Sequence, residues 1–452
     1  MRPGPLHRPL LSAFVVALFL PVFGCDLEPS NPNNPSEDQV LTTEDGLRNL
    51  TVGLQELYAT NALDATITTT SVTSRELAVN TTFANLVELE EGGAGDDLSS
   101  SNASVEQIWS ANYRIVRTAE DILANAPDVG FREGTESGVV ATARLFKAMA
   151  LGNISMAFEQ GATTAGEENP AFVARQEVLQ EAVNQLNMAT ATLEETPPSD
   201  EFENDVLAIE SLQGDTTPNQ ILRNVIDAYR ARFNLLAGND QAAIDAANQV
   251  DPSVQPVFNY NDQSQNPVWD AVVQDGDFAP RDSFGTRLTE PGDERIGFFT
   301  NPLDNTSTPS GFPIDAINLF TSSSSPFPLY LTGEMPLIRA EAKLNQGETL
   351  SDVISEIDAV RTKSSGEDPF GVGANLGPFD GPQTEAALRE EILRQRRAEL
   401  SLQGLSLADT RRLGPEVSNR DDPGPFEQSR NFYPYPDQER RNNPNTPADP
   451  DF

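Results

Sequence analysis

Two apolar-periodic segments joined by Gly-Asn constrain this chain more than any other feature. Asn219 to Leu236 carries Ile221, Leu222, Val225, Ile226 and Tyr229 at helical spacing, and Thr217-Pro218 supplies an N-cap and a first-turn proline. Gly238-Asn239 makes a tight turn, and Gln241 to Val250 returns as a second helix. The small alanines between the two let them approach closely. A helix hairpin of this kind cannot bury both of its faces, so it must stack on further helices.

The rest of the chain supplies them. Thr42 or Thr43 caps a helix from Glu44 to about Ala59, with Leu47, Leu50, Leu54, Leu57 and Tyr58 on one face. A helical or mixed segment follows to about Leu89, and Glu90 to Asn102 reads as a loop. Ser104–Ala124, Gly138–Gln160 and Gln176–Glu195 are strongly periodic, and Trp109 on the first of these has the spacing of a core residue. Glu334 to Gly366 reads as helix, Gln-Gly turn, helix. Glu385 to Leu402 is an arginine- and glutamate-rich helix, Gly404 its left-handed cap, and Leu405 to Gly414 a short second helix. Between these blocks, from Asp251 to Pro328, the helical period disappears and loose aromatics collect. A stretch that long without period is usually functional. The hairpins look like tetratricopeptide-type units. The expected fold is therefore mainly α, a tetratricopeptide-like helical-repeat superhelix with a long loop-rich insertion.

The N-terminus reads as an export signal. Arg2, His7 and Arg8 precede an apolar run from Leu10 to Pro21, too short to span a bilayer. Val22-Phe23-Gly24-Cys25 then reads as a lipobox, and Cys25 is the only cysteine in the chain. Acylation at Cys25 would anchor the protein to a membrane. The expected organisation is a signal peptide over 1–24, a Pro- and Asn-rich tether over 25–41, a helical-repeat part over 42–250, the insertion over 251–329 and a C-terminal helical part over 330–452, the last three forming one domain.

Charge and composition exclude several functions. The only histidine, His7, lies in the signal segment, so a chain starting at Cys25 has no Ser-His-Asp or Cys-His catalysis and no His/Cys zinc site. The whole chain carries −39, and loss of Arg2 and Arg8 takes it to −41. Such a surface repels nucleic acid and anionic headgroups. No cofactor or metal site is expected.

The Glu385–Gly414 stretch resembles the C-terminal signature of SusD/RagB-like outer-membrane lipoproteins, roughly I-L-x-E-R-R-x-E-L-x-F-E-G-x-R-x-x-D-L-x-R-x-G. Ile392, Leu393, Arg396, Arg397, Glu399, Leu400, Gly404, Asp409, Arg412 and Gly414 fall in register. Gln395 replaces the first Glu, and Leu402-Gln403 replaces Phe-Glu, so some of the family's ion pairs are expected to be rewired. Glu334–Gly366 resembles a second family segment through Glu334, Leu337, Ala340, Glu341, Ala342, Gly347, Ile357, Val360 and Arg361. The helix holding Trp109, the Asn219–Val250 hairpin and the terminal Tyr433-Pro434-Tyr435-Pro436 and Asn443-Pro444-Asn445 also match in order. The signature residues Glu341, Arg361, Arg396, Arg397, Glu399, Gly404, Asp409 and Arg412 are expected to be structural.

The resemblance implies a cell-surface nutrient-binding lipoprotein, facing the cell exterior as a lid over a TonB-dependent SusC-like barrel. The nutrient would be a glycan or a peptide, and the protein would not be an enzyme. Sugars are held by aromatic faces and by side-chain hydrogen bonds to hydroxyls. Trp269 and Tyr260 are the leading aromatic candidates, with Asn259, Asn261 and Asp262 as polar partners. Core packing beneath the loops is the competing expectation for Trp269. The alternative function is a lipid-anchored helical scaffold that binds protein partners. A hydrolase built on a carboxylate pair is the third reading, and with 69 acidic residues adjacent pairs carry little weight.

Overall fold

The computed structural model describes residues 37–93, 98–213, 216–281, 290–415 and 430–450. The signal segment, Cys25 and most of the expected tether lie outside these residues. The last five tether residues, Glu37–Leu41, form a short helix, α1.

Helices dominate. In chain order they are α2 (Glu44–Leu57), α3 (Leu63–Thr73), α4 (Ala84–Gly93), α5 (Ala103–Asn125), α6 (Glu133–Ala157), α7 (Arg175–Glu195), α8 (Asp200–Asp205), α9 (Pro218–Ala237) and α10 (Asp240–Ala247). The insertion contributes α11 (Pro267–Trp269) and α12 (Arg295–Phe299). The C-terminal part holds α13 (Glu334–Gln346), α14 (Leu350–Arg361), α15 (Glu385–Glu399), α16 (Ser406–Leu413) and α17 (Asp437–Asn442). Consecutive long helices pack on one another, α5 on α6, α6 on α7, α7 on α9 and α9 on α10, and α13 continues the stack from α10 through α14 and α15. This is the mainly α, helical-repeat architecture that the sequence pattern predicts.

Local chemistry explains the boundaries. Thr43 caps α2 by accepting from the Gly46 amide at 3.1 Å. Thr217 and Gln220 form a reciprocal capping box at the start of α9. Gly238 and Gly347 end α9 and α13 with φ of +79° and +71°, the left-handed geometry that glycine adopts without strain. α15 ends at Glu399, three residues earlier than the periodicity predicts. Leu402 and Gly404 both take left-handed conformations there, φ +58° and +72°, so the turn begins before the glycine. Leu402 accepts that conformation because its side chain is buried in the core.

Two short segments widen from α-helical to π-helical winding. Tyr58–Ala62 between α2 and α3, and Asp270–Gln274 after α11, are π-helical. Each inserts one extra residue per turn and rotates the faces that follow. α3 is buried on nearly all sides, which its run of threonines permits. Thr68, Thr70 and Thr73 return their hydroxyls to the carbonyls four residues back, at 2.7, 2.7 and 3.0 Å.

Short strands hold the insertion against the helices. β1 (Leu77–Val79), just after α3, pairs antiparallel with β6 (Phe278–Pro280), matching Leu77 to Pro280 and Val79 to Phe278. β5 (Pro256–Phe258) pairs with β4 (Glu210–Ser211) and β9 (Phe327–Pro328). β2 (Gln160–Gly161) pairs with β3 (Val173–Ala174), and β7 (Thr300–Asn301) with β8 (Ala316–Ile317).

Most of the signature residues are buried, and four of them, Glu341, Arg396, Asp409 and Arg412, pair with one another. Arg396 Nε donates to Asp409 at 2.8 Å, and Arg412 reaches the other oxygen of Asp409 at 2.8 Å and also pairs with Glu341. Arg361 pairs with Glu290 and Glu391. Glu399, fully buried, accepts from Arg295 of the insertion at 3.2 Å and from Lys363 at 2.6 Å. Gln395, at the position of the signature's first glutamate, accepts from Arg295 at 2.8 Å and donates to Glu391 at 2.8 Å. An ionised glutamate at that position could accept but not donate. Arg397 points the other way and donates to the Ser74 carbonyl at the end of α3, at 2.7 Å.

Close helix approach depends on Gly152 of α6, where any Cβ would overlap the ring of Phe233 on α9. Glycine-to-alanine at an open helical position gains up to ~1 kcal/mol from propensity. Here overpacking should outweigh that gain, and Gly152→Ala is expected to lower stability by about 1–3 kcal/mol net. A denaturant midpoint that falls at unchanged slope bears this out, and a midpoint that rises shows that α6 and α9 are not held that close.

Candidate functional site

The two π-helical turns face one cleft. Its volume is about 780 Å³, in the range of small-molecule sites. Glu56, Thr60 and Asp64 come from the end of α2, the first π turn and the start of α3. The opposite wall is the Asp262–Gln265 loop, then Asp270 and Ala271 of the second π turn. Phe278 of β6 also lines the cleft, and Phe83, 58% exposed, adds a bare aromatic ring. Ser104 and Gln107 of α5 add a hydroxyl and an amide.

Backbone geometry sets these groups in place. Asn266 caps α11 by accepting from the Val268 and Trp269 amides at 3.0 Å each, and donates to the Ser325 carbonyl at 2.8 Å. That anchors the loop ahead of the second π turn. Gln274 donates to Asp270 at 2.7 Å across that turn. The Asp277 carbonyl accepts from the Asn80 amide at 2.7 Å, extending the β1–β6 ladder to the cleft edge.

The lining is strongly acidic. Glu56, Asp64, Asp262, Asp270, Asp275 and Asp277 all contribute, and the described lining residues include no lysine or arginine. Burial, reinforced by the charge of Asp270, pushes the Asp64 carboxyl up from 3.8 to about 7. Burial raises Asp270 and Asp277 as well, and the charge of Asp275 adds to both. The Asp64 carboxylate has no hydrogen-bond partner among the described residues. A group held this far from its ordinary pKa in a cleft makes that cleft a functional-site candidate. Among the described residues, no three or more His, Cys, Asp or Glu side chains converge to hold a metal ion.

The five loop residues singled out in the sequence fall in different places. Asp262 lines the cleft. Tyr260 is buried, its hydroxyl donating to the Ala59 carbonyl at 2.9 Å beside the first π turn, so its ring is not a surface platform. Trp269 packs partly buried against the core and is not in the lining. Asn259 donates to Glu210 at 2.6 Å, away from the cleft. Asn261 folds the loop, accepting from the Gln263 and Ser264 amides at 2.8 and 3.1 Å. Asp64, Asp270 and Thr60 escaped sequence reasoning because a π turn leaves no mark in the period of so short a segment, and Phe83 because it lies outside the aperiodic stretch where the loose aromatics collect. Trp109 is core, stacked on Phe172 at 5.6 Å with its indole nitrogen donating to Glu439 at 3.3 Å.

Comparison with known proteins places this architecture. No family model matches the sequence, and no curated protein does. Solved structures do match. A SusD-like carbohydrate binding protein from Bacteroides vulgatus superposes with a TM-score of 0.66 at 15% identity, covering 89% of this chain and 97% of that one. A SusD/RagB family protein from Bacteroides thetaiotaomicron gives 0.65 at 16% identity, over 88% and 95%. A SusD-like carbohydrate binding protein from Bacteroides fragilis gives 0.62 at 15%, over 90% and 100%. The chain has the SusD-like fold. Among the described residues no helix is long and apolar enough to cross a membrane.

Asp64 makes a stability prediction. A carboxyl whose pKa rises on folding opposes its own ionisation, so the folded state loses stability as pH climbs from about 3.8 to about 7. Above that range the penalty is complete, up to ~4 kcal/mol by the conversion of pKa to free energy. Asp64→Asn is expected to leave the melting temperature unchanged at pH 4 and to raise it by several degrees at pH 8. An equal effect at both pH values contradicts the assignment.

Proposed function

We propose that this chain is a surface lipoprotein that captures a glycan in the cleft between its two π-helical turns. The observation that carries the reading is the cleft itself. It has the size of a ligand site, and its walls are hydroxyls, amides and carboxylates, with the exposed ring of Phe83. Sugar recognition needs those components: hydrogen-bonding groups for hydroxyls and an aromatic face for the apolar side of a pyranose. Two of the matching solved structures are named as carbohydrate binding proteins, which supports the same ligand class here.

In this proposal Cys25 carries the lipid anchor. The protein faces the cell exterior and acts as a lid on a SusC-like TonB-dependent barrel, handing the captured glycan to the transporter. Binding and release are its whole task, and no covalent chemistry is assigned to its residues.

The test of the partner is a pull-down of the tagged full chain from gently solubilised outer membrane of its own organism. Co-purification of a large TonB-dependent barrel near one to one is the expected result. Recovery of the chain alone, or with a soluble partner, removes the transport role and favours a lipid-anchored scaffold.

A further inference from the structure

α5 borders a second cavity. Ser104 and Gln107 line the cleft, whereas Trp109, Ser110 and Tyr113 of the same helix line a separate pocket of about 310 Å³. Its floor is aromatic. The Trp109 and Tyr113 rings lie 4.6 Å apart, and Trp109 also stacks on Phe172 at 5.6 Å. Pro170 and Pro436 line the pocket as well. These parts are held in place. The Tyr113 hydroxyl donates to the Ala162 carbonyl at 3.0 Å and accepts from the Ala162 amide at 2.7 Å. Asn443 donates to the Pro170 carbonyl at 3.0 Å, and Asn445 to the Asn169 carbonyl at 2.8 Å, so the end of the chain is tied to the loop that lines the pocket.

An aromatic floor with flanking polar side chains is the surface that docks a polyproline II segment. The chain carries one such segment, outside the described residues. Pro29, Pro32 and Pro35 recur at every third position. A polyproline II helix has three residues per turn, so these prolines share one face. From Pro29 to Ser36 there is no charged side chain, in a chain of net charge −39. Glu106 and Glu439 of the pocket therefore do not repel this segment as they would most others. Its length also fits. The described chain starts at Glu37 with α1, which packs against α2 and α5. The eight residues from Pro29 to Glu37 span about 25 Å in polyproline II geometry. Measured from Asn125 at the far end of α5, Trp109 and Tyr113 lie roughly 24 and 18 Å away along the helix axis. The prolines can thus reach the pocket from any point at which α1 meets α5.

We propose that this pocket docks the chain's own proline-spaced segment, Pro29 to Pro35. Cys25 precedes Pro29 by four residues, so docking keeps it within about 14 Å of that proline. The face of the protein that bears the pocket is then turned toward the membrane that Cys25 is proposed to enter. Docking itself needs neither the lipid nor a glycan, and it stands apart from the capture reading.

The experiment uses two features of the chain. Cys25 is its only cysteine, and Trp109 is one of two tryptophans. The mature chain, made from Cys25 onward without acylation and with Trp269→Phe, is labelled on the Cys25 thiol with a fluorescent acceptor. Energy transfer from Trp109 then reads how close Cys25 stays to the pocket. The triple variant Pro29→Gly/Pro32→Gly/Pro35→Gly removes the polyproline geometry, and Ser110→Arg fills the pocket from an exposed position on α5. Each is expected to lower the transfer at least about twofold, because the released segment samples a wide range of distances. Excess free peptide of the Asp26–Ser36 sequence is expected to lower it in the unmodified segment in the same way. Melting curves confirm that each variant is folded.

Equal transfer in all three chains overturns the proposal. A loss in the proline variant alone means that the segment packs elsewhere, and a loss in Ser110→Arg alone means that the proline spacing is not what the pocket recognises; either result overturns it. Transfer that falls on dilution assigns the pocket to the segment of a second copy and overturns docking within one chain. None of these outcomes bears on glycan capture in the cleft.

Discussion

The buried carboxylate of Glu399 fixes how the parts of this protein meet. Its two oxygens take Arg295 from the insertion and Lys363 from the end of α14, and Gly333 leaves the space it occupies. Lys363 also reaches Asp368 at 2.6 Å, and Arg295 reaches Asp293 at 2.7 Å. A charge with no access to water is tolerable only when it is fully paired and hydrogen-bonded. The cluster therefore admits one arrangement of three chain segments that are far apart in sequence. Two residues earlier on the same helix, Arg397 holds the Ser74 carbonyl at the end of α3. One helix thus positions both the insertion and the helix that forms a wall of the cleft.

From that frame the cleft follows. α3 leads directly into β1, and β1 pairs with β6 of the insertion, so the helical wall and the loop wall share a ladder. Tyr433, near the chain end, closes the back of α3, its hydroxyl donating to the Thr69 carbonyl at 3.1 Å. The two π turns sit where α2 passes into α3 and where the insertion turns toward β6. The elements on either side hold the two π-helical turns, so the fold itself sets the polar groups of the cleft in place.

Much of the fold could be read in the sequence, because long helices advertise themselves by period, cap and glycine stop. Thr43, Thr217, Gly238 and Gly347 act where the pattern puts them. Other features follow from tertiary contacts that no local pattern records. α15 stops at Glu399 because the chain must turn at Leu402, whose burial outweighs its poor suitability for a left-handed residue. Gln395 looked like a lost ion pair and is instead the neutral bridge between Arg295 and Glu391. The site was less legible. Aromatic residues in an aperiodic stretch point to binding in general, but which way each ring faces depends on the strand pairing around it. Tyr260 turns inward under the first π turn while the nearby Asp262 turns into the cleft. Asp64 lies at the head of a threonine-rich helix where nothing in its neighbours marks it as a wall of a cavity.

In the proposed function, ligand is held in this cleft. The most direct measurement is a glycan array probed with the full chain and with Ser264→Trp, a change in the cleft-lining loop that fills the space without touching the buried ion cluster. The wild-type chain is expected to mark a restricted set of glycans, and Ser264→Trp to lose that set while melting at the same temperature. A folded variant that marks the same glycans with undiminished intensity would place the binding site elsewhere on the protein.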